Sequence, residues 1–317
     1  MPNLDVMGIK KEETSGCYHV PVMLEESVKG LNIRPDGVYA DATFGGGGHA
    51  RAILEQLITG RLIALDRDAE ALTNCPGDER IIAVQGNFRF LRHYLAHYGY
   101  RKIDGILADL GVSSHHFDTP ERGFTFREDT PLDMRMNIEA RTTARDIVNL
   151  YPEERLRRIF ADYGELPDAS RLAHVIVNAR RHAPIERSGN LLGCIRDCVP
   201  RGAEHKYLAK VFQALRIEVN REMENLKTLL LQSVELLHNG GRIAVITYHS
   251  LEDRMVKRFF RHGTFDGKVV KDIYGNSQMP FRQVNTKVVT PSDAEIAANN
   301  RARSAKLRIG EKIENYN

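Results

Sequence analysis

The chain predicts an α/β protein: a doubly wound, mostly parallel sheet carrying an inserted helical domain. Short apolar runs end repeatedly in an acidic or polar residue: Gly37–Ala40 before Asp41, Arg61–Leu65 before Asp66, Ile81–Gln85 before Gly86-Asn87, and Ile103–Ala108 before Asp109. Such runs, spaced by helical periodicity, are the pattern of buried parallel strands joined by crossover helices. A glycine cluster, Gly45–Gly48, follows the first run and leads into the apolar-spaced Ala50-Arg51-Ala52-Ile53-Leu54. Finally, more than a hundred residues separate Asp109 from the next strand-like run, Gly241–Thr247. One crossover helix needs far fewer, so part of that span forms its own module.

Taken in order, residues 1–16 are polar, and His19–Glu26 leads into a short helix. Asn32–Gly37 is the turn before the first strand, and helices are expected near 68–74 and 89–98. In the long span, residues 153–161, about 168–182 and about 188–198 read as helices, with Leu172, Ala173, Ile176 and Val177 at helical spacing. From Val211 through Leu215, Val219, Met223, Leu226, Leu230 and Val234 to Leu237 the spacing predicts one long amphipathic helix, ended by Asn239-Gly240-Gly241. The expected division is therefore 1–117 as the first part of the core, 118–208 as the helical insert, and 209–317 as the second part of the core. Residues 263–283 read as an exposed loop, and Val284–Thr290 and Ala305–Ile313 as a closing antiparallel hairpin.

Composition narrows the setting. The chain has 317 residues and a formal charge of +3, too small by itself to imply nucleic-acid binding. Cys17, Cys75, Cys194 and Cys198 are few and scattered, which fits a reducing compartment. No apolar run approaches membrane-spanning length, and the first fifteen residues lack a signal-peptide core. A cytoplasmic protein with no membrane association and no obligate protein partner is expected. Cys194 and Cys198 share a helix face but lack partner ligands at metal spacing, so no metal is expected.

The stretch Asp41–His49 carries the strongest chemical signal. A phosphate-cradling loop would need Lys and Ser/Thr after the last glycine, where this chain has His49-Ala50. Gly45, Gly46 and Gly48 almost fit a dinucleotide spacing through the four-glycine run alone. An acidic strand end followed by glycines suits S-adenosylmethionine (SAM) best. Asp66 stands beyond the second strand, where a carboxylate can accept from both ribose hydroxyls; this disfavours a 2′-phosphorylated ligand and leaves NAD and SAM both open. Asn87 and Phe88 at the third strand end could bracket an adenine, or Phe88 could pack into its own core. Asp109 at the fourth falls where a substrate would meet the cofactor, favouring function over a cap. His249 follows the fifth strand and either faces the cleft or caps the next helix beside Ser250.

Together these stretches resemble the ribosomal RNA small subunit methyltransferase H family, also called MraW. The resemblance rests on His19-Val20-Pro21-Val22-Met23, Asp41–His49, Asp109-Leu110-Gly111-Val112-Ser113-Ser114 and Arg122-Gly123-Phe124-Thr125-Phe126. It continues in Pro131-Leu132-Asp133-Met134-Arg135-Met136, His249–Arg254 and Arg301-Ala302-Arg303-Ser304, spanning about 19–313. It implies methylation of N4 of a decoding-region cytosine in 16S rRNA, and SAM contacts at Gly47, Gly48, His49, Asp66, Phe88 and Asp109. The family's Gln after the Ser-Ser pair is replaced here by His116, which can still make one hydrogen bond but not the amide's two.

The chemistry agrees with an amine target. Methylating cytosine C5 requires a cysteine nucleophile, usually after a proline, and none of the four cysteines follows one. Methylating an exocyclic amine needs alignment and a proton acceptor, for which Asp109 or a neighbouring carbonyl is the candidate. The base must leave its stack, which favours single-stranded or loop RNA. Asp133, Arg135 and His249 are the candidates for holding it. Arg171, Arg180, Arg181, Arg187, Arg196, Arg201, Lys206 and Lys210 outnumber the nearby acids and could neutralise RNA phosphates. The expected partner is 16S rRNA within the small ribosomal subunit. The alternatives are a DNA amino-methyltransferase, against which the missing Pro-Pro-aromatic loop argues, a non-catalytic assembly factor with a SAM pocket, and a weaker NAD-linked oxidoreductase.

Overall fold

A computed structural model describes residues 21–112, 119–269, 271, 275 and 278–314. Its centre is a seven-stranded sheet of order β3-β2-β1-β4-β5-β7-β6. The strands are β1 (Val38–Asp41), β2 (Arg61–Asp66), β3 (Ile81–Gln85), β4 (Ile103–Asp109), β5 (Leu237–Thr247), β6 (Phe281–Gln283) and β7 (Lys306–Lys312). The first five are parallel, and β7 runs antiparallel to both β5 and β6. The strand order reverses at β1, so a crevice opens beyond the carboxyl ends of β1 and β4.

Helices α1 (Leu24–Leu31), α2 (Gly48–Gln56), α3 (Ala69–Leu72) and α4 (Leu91–His97) accompany the first strands. Two apolar clusters sandwich the sheet. One gathers Ile63, Leu65, Leu91, Ile106, Val245 and Phe260. The other gathers Tyr39, Ile53, Leu62, Leu107, Ile246 and Leu307 on the opposite face, as the alternation of side chains along a strand requires.

Between β4 and β5 lies a third, separate core running from Phe124 to Leu215. It is built by α5 (Ala144–Leu150), α6 (Glu153–Asp162), α7 (Ala169–Ala179), α8 (Ser188–Ile195) and α9 (Glu204–Asn220). Helix α5 is started by a capping box, in which Thr143 and Asp146 satisfy each other's backbone N–H groups. Helix α10 (Glu222–Leu236) returns the chain to the sheet, and α11 (Ser250–His262) and α12 (Asp293–Ala298) follow β5 and β6.

Two expectations need correction. The single long helix is two, because Arg221 adopts φ 52 and breaks the hydrogen-bond ladder between α9 and α10. Apolar periodicity passes through such a break because both helices bury their stripes, α9 into the insert core and α10 against the sheet. The strand expected at 284–290 lies instead at Phe281–Gln283, and Val289 makes one isolated bridge to Leu307. Phe281 is buried against Phe259 and Phe260, and that anchor fixes which residues pair.

Candidate active site

The crevice holds a cavity of about 610 Å³, lined by Thr43, Gly45, Gly46, Gly48, His49, Asp66, Phe88, Asp109 and Tyr248 among others. The glycine turn forms its floor. Phe44 N donates to Leu65 O at 2.8 Å, and Gly47 N to Phe44 O at 2.8 Å, folding the chain back over the Phe44 ring. Gly47 adopts φ 75, and an added Cβ would stand 2.6 Å from that ring. At Gly48 a Cβ would come within 2.6 Å of Pro21. His49 is buried, and its Nε2 lies 3.1 Å from Val22 O, which can only accept, so Nε2 carries the proton. Burial pushes its pKa down to about 4, so the ring is neutral and ties α2 to residue 22.

Next to this turn, Asp66 Oδ2 accepts from Gly45 N at 2.8 Å and Oδ1 from Asp68 N at 2.9 Å. The carboxylate therefore holds the turn while lining the cavity. Phe88 opens the turn after β3, with the Arg67 guanidinium 5.7 Å above its ring. An aromatic face and a carboxylate on neighbouring strand ends match a base and its ribose.

On the other side, Asp41 and Asp109 end β1 and β4. Asp41 Oδ1 accepts from Thr43 N at 3.1 Å, while its buried Oδ2 has no donor among the described residues. Asp109 Oδ1 accepts from the Tyr248 hydroxyl at 2.8 Å, and its backbone N donates to Thr43 Oγ1 at 2.6 Å. Burial, outweighing these hydrogen bonds, pushes both carboxyls up to about 7, with Asp66 adding to the rise at Asp41, and Asp41 and Glu252 to that at Asp109. Tyr248 reaches Asp109 because β5 pairs with β4, with Leu110 N donating to Ile246 O at 3.0 Å. Gly111, at φ 100, passes the Tyr248 ring so closely that a Cβ would sit 3.4 Å from it.

Behind Tyr248 lies a buried charged group. Arg216 donates through Nε and Nη2 to both oxygens of Glu222, each at 2.9 Å. Glu252 Oε2 accepts from Tyr248 N at 2.9 Å and from His249 N at 3.3 Å. His249 Nδ1 in turn accepts from Glu252 N at 3.4 Å, so His249 caps α11. Its Nε2 lies 3.2 Å from Glu252 Oε1 in a geometry too bent for a hydrogen bond. Glu222, His249 and Glu252 bring ligand atoms within 4.8 Å of one another, a set that could hold a metal, but Arg216 already neutralises Glu222.

Of the residues expected from sequence, Gly48, His49, Asp66, Phe88 and Asp109 line one cavity. Gly47 shapes the turn beneath it. Asp133 and Arg135 are not among the lining residues. Arg135 forks onto Asp133 at 2.8 and 2.7 Å and donates to Ile138 O and Ala140 O, each at 2.7 Å, stapling its own loop. That loop is pinned to α9 by Asn220, which bonds Met134 O at 2.7 Å and Met136 N at 2.8 Å, and it delivers Met136 to the cavity. His116 lies outside the described residues. Sequence reasoning missed Thr43, Arg67, Arg216, Glu222, Tyr248 and Glu252. The strand-end rule that singled out His249 applied equally to Tyr248, whereas nothing local marks Arg216 and Glu222.

A doubly wound sheet, a glycine turn at its switch point, and an acid beyond each of β1, β2 and β4 define a SAM-dependent methyltransferase. The residues fit that cofactor: the cradle leaves no room for side chains, and the Asp109 carboxyl lines the cavity, where it suits a cationic ligand. The MraW methylase family model matches residues 16–313, and the chain belongs to that family. "Ribosomal RNA small subunit methyltransferase H" of Parabacteroides distasonis is 54% identical over 304 residues, covering 95% of this chain and 100% of that protein. The protein of the same name from Flavobacterium johnsoniae is 52% identical over 297 residues, covering 93% and 98%. Among solved structures, an rRNA methylase from Streptococcus thermophilus is a loose likeness at 13% identity and TM-score 0.41, covering 93% of this chain and 99% of that one.

Proposed function

We propose that the protein transfers a methyl group from SAM to N4 of a cytosine in the decoding region of 16S rRNA, within the small ribosomal subunit in the cytoplasm. The observation that carries this reading is Asp109. Its carboxyl sits at the switch point with one oxygen held by Tyr248 and a pKa of about 7, on a chain whose full-length relatives bear an rRNA methyltransferase name. No cysteine lines the cavity among the described residues, so the covalent route to C5 has no nucleophile there.

SAM, when bound, supplies an electrophilic methyl on sulfur. Gly47, Gly48 and His49 would form its cradle, Asp66 would take the ribose hydroxyls, and Phe88 would face the base. Asp109 would receive the proton that the amine nitrogen loses on taking the methyl group from sulfur. A carboxyl with a pKa near 7 can accept that proton and release it again at physiological pH. Tyr248 keeps the carboxyl oriented. Asp133 and Arg135 act on the substrate through the loop they brace, and His249 through the helix start that holds Tyr248.

The insert at 118–208 is the RNA-recognition domain in this reading. Arg196, Arg201 and Lys206 are exposed and without an ion pair among the described residues, as phosphate contacts need. Arg187, by contrast, is committed to Asp129 at 2.7 Å. The test is methyl transfer from labelled SAM to small subunits lacking the modification, with naked rRNA and duplex DNA beside them and nucleosides identified by mass spectrometry. N4-methylcytidine from subunits is expected; label in DNA alone, or bound SAM with no transfer, would contradict the reading.

A further inference from the structure

We propose that a second polar cleft beside the cofactor cavity grips a backbone phosphate of the RNA next to the target nucleotide. The inference rests on the rRNA-methylating reading above. The cleft, of about 390 Å³, opens between the loop after β3, the insert turn around Asn137 and Glu139, and the α9–α10 break at Arg221. It shares Arg67 with the cofactor cavity, so the two openings adjoin.

Two guanidiniums face the cleft without a carboxylate in direct contact, although Glu222 and Asp66 lie near enough to favour the charge on Arg67. Among the described residues, neither Arg67 nor Arg89 forms an ion pair. Arg67 spends Nη1 on Asn220 O at 3.1 Å, but its buried Nε has no acceptor. A buried donor without an acceptor is unfavourable, and a guanidinium matches phosphate oxygens in a planar fork. Arg89 lies 5.1 Å over the Phe90 ring, an arrangement that leaves its N–H groups for an acceptor. Arg221 lines the cleft too, paired with Glu224, and Glu139 is the carboxylate that opposes them. Asn225, 1% exposed, adds an unpartnered Oδ1 that suits a hydroxyl donor, which a ribose provides.

Full-length Arg89→Gln and Arg221→Asn, the latter because Asn tolerates the left-handed backbone at that position, test this. The KM for undermethylated small subunits is measured across a KCl series, with SAM affinity by calorimetry. Each variant is expected to raise that KM about three- to tenfold and to flatten its log–log salt slope by about 0.7, the value of one lost single-strand phosphate contact. SAM affinity and kcat stay at wild-type values. Should Arg221→Asn unfold, Arg89→Gln carries the test alone. Unmoved KM and salt slope in an active enzyme overturn the inference, as does a parallel loss of SAM affinity, which would assign the cleft to the cofactor. Heat protection by inorganic phosphate at constant ionic strength, with an unmoved KM, would make it a free-phosphate site and overturn it likewise. A wild-type protein that methylates no subunits overturns the functional reading first.

Discussion

The two halves of the cavity treat their carboxylates in opposite ways. On the β2 side, Asp66 receives a backbone N–H on each oxygen, from Gly45 and Asp68. On the β1–β4 side, Asp109 is half-buried in the cavity wall and Asp41 fully buried near it, with one donor to each side chain among the described residues, the Tyr248 hydroxyl and Thr43 N respectively. Backbone donors tie the first to the glycine turn; burial, against one hydrogen bond apiece, raises the second pair to about 7, where a proton comes and goes. Binding and chemistry are thus divided across one sheet by burial and by which groups donate to each carboxyl, since the residue type is the same.

The division can be broken first on the binding side. Asp66→Ala removes both the ribose acceptor and the anchor of Gly45, and SAM affinity by calorimetry is expected to fall at least about 100-fold. Retained affinity would show that the turn binds without it. A smaller effect is expected at Tyr248→Phe, which keeps the ring and loses the hydroxyl. The hydrogen bond lowers the Asp109 pKa, so its loss moves the acid limb of the pH–rate profile upward by about one unit and lowers kcat at pH 7 about fivefold. An unchanged limb would detach Tyr248 from the proton transfer.

Smaller still is a stability effect at Asp41. Its folded pKa of about 7 lies above its ordinary 3.8, so the folded state holds a proton that the unfolded chain has lost. Stability from this group therefore falls as pH rises from about 4 to about 7, and the loss persists above. Asp41→Asn keeps the acceptor for Thr43 N and cannot ionise, so denaturant titration at pH 8 should show a gain of order 2–4 kcal/mol that vanishes near pH 4. A gain at both pH values would trace to packing instead.

The cofactor half was legible in sequence because its parts are local. Asp41, the glycines and Asp66 lie within 26 residues, and strand ends and turns leave compositional marks. The acceptor half is assembled by pairing: Tyr248 meets Asp109 across 139 residues through the β4–β5 register, and Arg216 meets Glu222 around a helix break that periodicity cannot see. Asp133 and Arg135 stood out as a motif, yet they spend their hydrogen bonds on their own loop, which a string of residues cannot distinguish from a substrate contact. Helices of the insert were readable from their apolar spacing, while the break at Arg221 was not, because a left-handed arginine has no sequence signature.

The most direct test of the division between binding and chemistry is Asp109→Asn, with SAM affinity by calorimetry and single-turnover methyl transfer to undermethylated small subunits measured on the same preparation. Affinity within about threefold of wild type, with the transfer rate down at least about 100-fold, is the predicted result. Loss of both together would make Asp109 part of the cofactor's grip, and an unchanged rate would mean that another group takes the proton.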